Sequence, residues 1–251
     1  MNPIVWRVEH FEEIDSTNSW LVNHAENGGS EGLVAYADFQ SAGRGRLDRQ
    51  WESPPGASLL CSILLRAPVE PDDLQLVVAA VALSARAALV RLSGVRPDLK
   101  WPNDLIVGDK KLAGLLAEVV STKDGLATVV GIGVNLSHAH PDLVNATSVL
   151  EESGLTITPR ALLDILLDEL ERRRASLETE EGRDALRAEY EKALRTLGQR
   201  VRVELVNEVV VGDALRIDGS GRLVVAVDGV ETVFSVGDVV HVRPLEVGPR
   251  G

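Results

Sequence analysis

Apolar and polar positions alternate with different periods along this 251-residue chain, and the change of period falls at Gly198. Before it, helical and strand patterns mix. Asp15 and Ser16 are good capping residues ahead of a helix predicted over Ser16–Asn27, which Gly28-Gly29 ends. Leu33–Phe39 and Ser58–Leu65 read as strands. From Asp72 to Leu92 the apolar residues Leu74, Val77, Val78, Val81, Ala85, Ala88 and Leu89 recur at helical spacing, and Gly94 stops the run. Strand-like pieces follow at Leu105 ("LIV"), Lys111 ("KLAGLLAEVV") and Gly125 ("GLATVVGIGVNL"). Thr158-Pro159 opens a helix that runs to Leu177, with proline at the first helical position. Arg183–Leu197 predicts another, closed by Gly198. Beyond Gly198 the segments "QRVRVEL", "EVVVGDALRID", "GRLVVAV" and "VETVFSVGDVVHVRP" alternate with period two, and Asp218-Gly219 and Asp228-Gly229 supply turns. The pattern predicts an α+β architecture: a larger domain over residues 1–197 and a small β-barrel over 198–251. The Gly/Pro/Arg tail from Pro244 is expected to fray.

Composition narrows the class. Hydrophobic residues make up 45% and charged residues 25%, which suits a globular protein with a real core. The sequence reads as having no apolar run of roughly 18 residues, so no membrane span is expected. The N-terminus has neither the basic start nor the apolar stretch of a signal peptide. Cys61 is the sole cysteine, which rules out an internal disulfide. These features predict a cytoplasmic enzyme or binding protein with no membrane partner. The net charge of -12 argues against broad nucleic-acid binding, because phosphate contacts need clustered Lys and Arg.

Against that acidic background, "QSAGRGRLDRQW" (Gln40–Trp51) concentrates Arg44, Arg46 and Arg49 around Gly43 and Gly45. The glycines let backbone N–H groups approach an anion, and guanidinium forks match carboxylate or phosphate. Such a loop is expected to be disordered when empty and to order on an anion. A solvated surface loop and a minor-groove reader are the competing readings. No Gly-Lys-Ser/Thr follows, so it is not a P-loop of the ATPase kind. In "LKWPNDLIVGDKKLAGLLAE", Trp101-Pro102 breaks any helix and Asn103-Asp104 favours a turn. Strict alternation would put Lys111, Ala113, Leu115 and Ala117 on one strand face and Leu112, Gly114 and Leu116 on the other. Lys111 could snorkel to solvent or aim its charge at a substrate. Gly114 suggests a close approach to the backbone. Ser16, Thr17 and Asn18 could cap the first helix or offer donors and acceptors to a polar ligand. "GIGVN" (Gly131–Asn135) is too short for a dinucleotide fingerprint. His138 and His140 have no sequence neighbours that would complete a metal site, and Cys61 reads as a buried small hydrophobe.

Taken in order, STN, Q-x-A-G-R-G-R-x-x-R-x-W, KWPND, K-L-A-G-x-L and G-x-G-x-N resemble the biotin–protein ligase (biotin–[acetyl-CoA-carboxylase] ligase) family over nearly the whole chain. The resemblance implies a mixed β-sheet catalytic domain with flanking helices, of the class II aminoacyl-tRNA synthetase/biotin ligase type, and an SH3-like C-terminal barrel. It implies that biotin is activated by ATP to biotinyl-5'-AMP and passed to a lysine of a biotin carboxyl carrier domain of an acyl-CoA carboxylase. Magnesium is expected with the triphosphate, its ligands unassigned. Lys111 and Arg46 would be the catalytic pair. Ser16, Thr17, Asn18, Gln40, Gly43, Arg44, Lys111 and Gly114 would bind biotin. Arg44, Gly45, Arg46, Arg49, Trp51, Asn103, Asp104 and Asn135 would hold ATP and the adenylate. Asp48 stands where many members have glycine, so its carboxylate should point outward or pair with an arginine. The bifunctional members begin with a DNA-binding module, for which the segment ahead of "FEEIDSTN" is too short, so repressor activity and nucleic-acid partners are not expected. Homodimerisation through a sheet edge is left open. Lipoate–protein ligase and a non-enzymatic biotinyl-AMP-binding regulator are the alternatives.

Overall fold

The computed structural model describes residues 4–47, 49–67, 69–70, 73–138, 145–205, 208–235 and 237–241. Asp48, His140 and the tail from Pro244 lie outside them. The first part of the chain forms β1 (Arg7–Ile14), α1 (Thr17–Glu26), β2 (Leu33–Gln40), β3 (Ser58–Leu65), α2 (Leu74–Ser93), β4 (Asp98–Lys100), β5 (Asp104–Val107), β6 (Lys110–Thr122), β7 (Gly125–Asn135), α3 (Val149–Ser153), α4 (Pro159–Ser176) and α5 (Glu180–Ala193). Its strands make one seven-stranded sheet in the order β1-β2-β3-β7-β6-β5-β4. The β1–β2 pair is parallel and the others are antiparallel, so the sheet is mixed. A parallel pair needs a crossover, and α1 is that crossover.

Period-two alternation in β3 divides the core between two faces. Leu59, Cys61, Ile63 and Leu65 join the cluster that includes Leu76, Val81 and Leu89 of α2 and Leu162 and Leu166 of α4. Leu64 instead packs with Leu21 and Ala25 of α1. Thus α1 covers one face and α2, α4 and α5 the other. The length and composition of α2 would let it cross a membrane, with mean hydropathy 1.8 over 18 residues. This corrects the expectation that the chain holds no such run. Burial of 72% of that window inside the protein explains the composition: α2 is apolar nearly all round because it is a core helix.

The second part forms β8 (Arg200–Glu204), β9 (Val209–Ile217), β10 (Leu223–Val227), β11 (Val230–Phe234) and β12 (Asp238–His241), an antiparallel sheet in the order β11-β10-β9-β8-β12. Val201, Val203, Leu223, Val225 and Val239 from this sheet share one continuous core cluster with Trp101 and Tyr190.

β1, β4 and α3 were not foreseen. β1 is an edge strand with Glu9, Glu12 and Glu13 exposed, so its apolar alternation is faint. The last predicted helix is α5, which starts earlier, at Glu180, where the Thr179 side chain accepts from the Gly182 amide. It ends at Ala193 rather than Leu197. Leu194 turns extended (ψ 107°) and bridges to Leu99, and the Arg195 amide donates to the Leu99 carbonyl at 2.9 Å. Propensity alone could not announce that tertiary pairing.

Candidate active site

A cavity of about 380 Å³ opens on the α1 face of the seven-stranded sheet. Its polar end is built where α1 begins. The Ser16 side chain caps the helix, accepting from the Ser19 amide at 3.4 Å. Thr17 and Asn18 are buried and turn inward. The Gln40 side-chain oxygen accepts from the Thr17 amide at 2.7 Å and from Thr17 Oγ1 at 2.9 Å. Thr17 Oγ1 is 2.8 Å from Ser62 Oγ, and Ser62 Oγ donates to Asn18 Oδ1 at 2.7 Å. Asn18 Nδ2 donates to Glu118 at 2.7 Å.

Gln40 and Asn18 present acceptor oxygens at the two ends of this chain of contacts, and each hydroxyl between them carries a single hydrogen. The Thr17 amide already donates to Gln40, so the Thr17 hydroxyl can turn to Ser62 and Ser62 to Asn18. The second lone pairs of the two amide oxygens stay open to a ligand that brings N–H donors.

The floor is glycine. Gly131 and Gly133 on β7 and Gly114 on β6 face the cavity. A Cβ at Gly131 would stand 2.3 Å from Asn18 Oδ1, and one at Gly133 would stand 2.4 Å from the Trp51 indole. A Cβ at Gly114 would be 2.9 Å from Lys111 Nζ and 3.1 Å from Trp51. The sheet therefore carries no side chain where the indole lies, and Trp51 Nε1 is buried without an acceptor.

The other end is basic. The arginine loop is folded across the cavity by its own backbone: the Gly45 amide donates to the Arg49 carbonyl at 2.7 Å, and the Trp51 amide to the Gly43 carbonyl at 3.0 Å. A Cβ at Gly43 would be 2.2 Å from the Trp51 carbonyl oxygen, so that glycine closes the loop on itself. Arg44 pairs with Glu118 at 3.0 Å. Arg46 reaches Asp238 at 3.2 Å and the Asn103 side-chain oxygen at 3.2 Å, and Arg49 reaches Asp238 at 2.5 Å. Burial lowers the Arg46 pKa from its ordinary value and neighbouring Arg49 adds to this, while Asp238 and Asp104 oppose it. The loop expected to be disordered when empty thus has carboxylates where an anionic ligand would sit.

Lys111 corrects the face assignment. β5 and β6 slip register: Leu105 pairs with Ala113 but Ile106 pairs with Lys111, so Leu112 is the extra residue of a β-bulge. Leu112 enters the core and is fully buried. Lys111 moves to the face of Gly114, not that of Ala113 and Leu115. Its Nζ lies 2.7 Å from Asp104 Oδ1 and 5.7 Å from the Trp51 ring centroid. That distance makes Lys111 and Asp104 a close ion pair at the edge of the cavity.

Ser16, Thr17, Asn18, Gln40, Arg44, Gly45, Arg46, Arg49, Trp51, Asn103, Asp104, Lys111 and Gly114 all line this cavity. Gly43 and Asn135 do not line it. Asn135 is buried and donates to the Thr147 carbonyl at 3.0 Å, which fixes the segment after β7 rather than facing the cavity. Trp101 is 1% exposed; its indole N–H donates to the Gly221 carbonyl at 3.1 Å and joins the two sheets. Cys61 is buried and its thiol is pushed up to about 12 by burial, so it is no nucleophile. Ser62, Glu118 and Asp238 were missed by sequence reasoning, whereas Gly133 lay inside the "GIGVN" segment it had singled out. Ser62 had a signal, as a polar residue inside the apolar strand "SLLCSILL". Glu118 had one too, since it keeps the strand parity of Gly114 and Leu116. Asp238 had none, because it arrives from the second sheet.

Residues 10–135 match the biotin/lipoate A/B protein ligase family, and residues 196–242 match the biotin protein ligase C-terminal domain. The biotin–[acetyl-CoA-carboxylase] ligase of Mycobacterium tuberculosis is 35% identical, over 95% of this chain and 90% of that protein. The bifunctional ligase/repressor BirA of Escherichia coli is 32% identical, over 90% of this chain and 71% of that protein. The biotin protein ligase of Aquifex aeolicus, solved in complex with biotin and ATP, superposes with a TM-score of 0.80 at 27% identity, covering 94% of this chain and 99% of that one. With both the catalytic fold and the C-terminal sheet matched, the chain belongs to the biotin/lipoate A/B protein ligase family.

Proposed function

We infer that this protein is a biotin–protein ligase. It joins biotin to ATP, giving biotinyl-5'-AMP and pyrophosphate, and then moves the biotinyl group to a lysine of a biotin carboxyl carrier domain. The observation that carries the reading is the division of one cavity. An acceptor-rich polar end (Thr17, Gln40, Ser62, Asn18) suits the two N–H donors of a ureido ring, and a basic end (Arg44, Arg46, Lys111) suits a carboxylate and phosphate. Membership of the family and the names of its relatives support the same substrates. The acetyl-CoA carboxylase in the relative's name supports a carrier domain as acceptor.

In the first step a biotin carboxylate oxygen attacks the α-phosphorus and the bond to pyrophosphate breaks. In the second, an uncharged lysine amine attacks the acyl carbon, AMP leaves, and the amide forms as the nitrogen loses its proton. Neither step needs an enzyme nucleophile. Both need the reacting oxygens held close and their charge met by fixed cations. Lys111, paired with Asp104, can trade that carboxylate for the α-phosphate oxygens. Arg46 and Arg49 can likewise exchange Asp238 for phosphate. The Trp51 indole, backed by Gly114 and Gly133, offers its face to adenine.

Among the described residues no group of three or more His, Cys, Asp or Glu could hold a metal. The carboxylates Asp104 and Asp238 are already engaged by cations. The described residues form no magnesium cage of their own. Residues 1–197 serve as the catalytic unit, and the appended sheet β8–β12 supplies Asp238. Exchange of labelled pyrophosphate into ATP by the purified protein tests the reading. Biotin-dependent exchange, with none on lipoate, is the expected result. Exchange on lipoate alone would make it a lipoate ligase, and tight biotinyl-AMP binding without exchange would make it a regulator.

A further inference from the structure

Glu118 sits mid-strand on β6, facing the cavity side of the sheet in register with Val129. Its carboxylate takes two donors: Asn18 Nδ2 at 2.7 Å and Arg44 NH1 at 3.0 Å. An amide side chain can be turned either way, and its partners decide which way. A carboxylate accepts and does not donate. Glu118 therefore forces the Asn18 nitrogen toward itself and the Asn18 oxygen toward Ser62 and the polar end of the cavity. A Cβ at Gly131 would fall 2.3 Å from that same oxygen, so the backbone has been cleared around it.

We propose that Glu118 is the positioning residue that sets the hydrogen-bond polarity of the ureido subsite. It fixes Asn18 as an acceptor, ties it to Arg44 at the edge of the loop, and so selects a ligand whose head group donates N–H. A dithiolane head, which has no N–H, gains nothing from this arrangement. The proposal rests on the biotin–protein ligase reading. It adds that discrimination of the head group comes from a residue one position behind the ligand contacts, coupled to the loop through one carboxylate.

The test uses the full chain with biotin and ATP. Glu118→Gln keeps the shape but supplies only one acceptor atom to two donors, and a hydrogen bond to a charged group is worth roughly 10–100-fold in affinity. The biotin KM and the biotin Kd by calorimetry should rise by that factor, with a smaller change in the ATP KM, because Arg44 alone of the basic end meets Glu118. Asn18→Asp alone would set two carboxylates against each other and lose biotin binding. Combined with Glu118→Gln it should recover most of the loss, because the amide introduced on β6 then donates and the carboxylate introduced on α1 again presents an acceptor. Thermal unfolding of each variant reports whether it is folded. Wild-type biotin affinity in Glu118→Gln, an equal loss for biotin and ATP, or a double variant no better than Asn18→Asp would overturn the proposal while leaving the ligase reading intact. Absence of biotin binding by the wild-type protein would overturn both.

Discussion

Lys111 and Asp104 face each other at 2.7 Å at the basic end of the cavity, an ion pair that an entering phosphate would replace. Lys111→Ala should lower adenylation by roughly 10²–10³-fold, the scale of losing one charge-stabilising group. Near-normal pyrophosphate exchange in that variant would remove Lys111 from the mechanism. Gly133 tests the floor in the same way. Gly133→Val keeps a good strand former in β7 but drives a side chain into the indole 2.4 Å away. ATP affinity should fall roughly tenfold, the scale of one lost base–aromatic stack, while biotin affinity stays near that of the wild type. An unchanged ATP KM would show that Trp51 does not serve the adenine. At this scale the sequence named thirteen residues that line the cavity, and the cationic ones stood out because the chemistry of anion binding restricts the choice to Arg, Lys and glycine. It misplaced Asn135, whose amide is used up on a backbone carbonyl.

The elements decide how those residues meet. Without the bulge at Leu112, Lys111 would share a face with Ala113 and Leu115, which pack in the core. One extra residue in β6 turns it to the cavity, and no alternation rule reads a bulge from the sequence of one strand. The arginine loop is set by Gly43, which admits the Trp51 carbonyl, and by ion pairs at its far side. Arg46→Gly removes the contacts to Asn103 and Asp238 together. Biotinyl-AMP should then escape, and lysines of bystander proteins should become labelled. Selective labelling of the carrier domain alone by this variant would sink the role of the loop as a lid. The helices were legible to within a few residues where caps mark them, as at Ser16, Gly94 and Thr158. The end of α5 was not, because Leu194 leaves the helix to pair with Leu99.

At the scale of the molecule the two sheets share one core cluster. Trp101 joins them, buried in the shared core with its N–H on the Gly221 carbonyl, and its amide donates to Thr196 Oγ1 at 3.0 Å. Trp101→Phe deletes the indole bond and leaves that carbonyl buried, at a cost of about 1–3 kcal/mol. Thermal unfolding should show a lower midpoint with a single transition; two separated transitions would mean that the sheets unfold independently. His241 of β12 lies at the same seam, near Lys100, Arg195 and Asp109. Burial, then Lys100 and Arg195, lower its pKa from the ordinary imidazole value, while Asp109 opposes them. The unfolded chain therefore takes up the proton first as pH falls. The stability that comes from neutral His241 is present above about pH 6.5 and is lost as pH drops through the folded value. Chemical denaturation measured from neutral to mildly acid pH should show that loss, and His241→Gln should flatten it.

Sequence alone determined what depends on local pattern and chemical type: the change from mixed to all-β period at Gly198, most helices and strands, and the cationic loop. It also identified the STN, KWPND and KLAG segments, because backbone propensity and side-chain chemistry are written residue by residue. The tertiary structure decided what depends on contacts distant along the chain. It turned Lys111 to the cavity through a bulge and used Trp101 as a peg between sheets. It brought Asp238 from the last strand onto Arg46 and Arg49, and set Glu118 behind Asn18. Such contacts exist only when strands far apart in the chain are placed side by side, and the register of that placement is fixed by packing of the whole core rather than by any one segment.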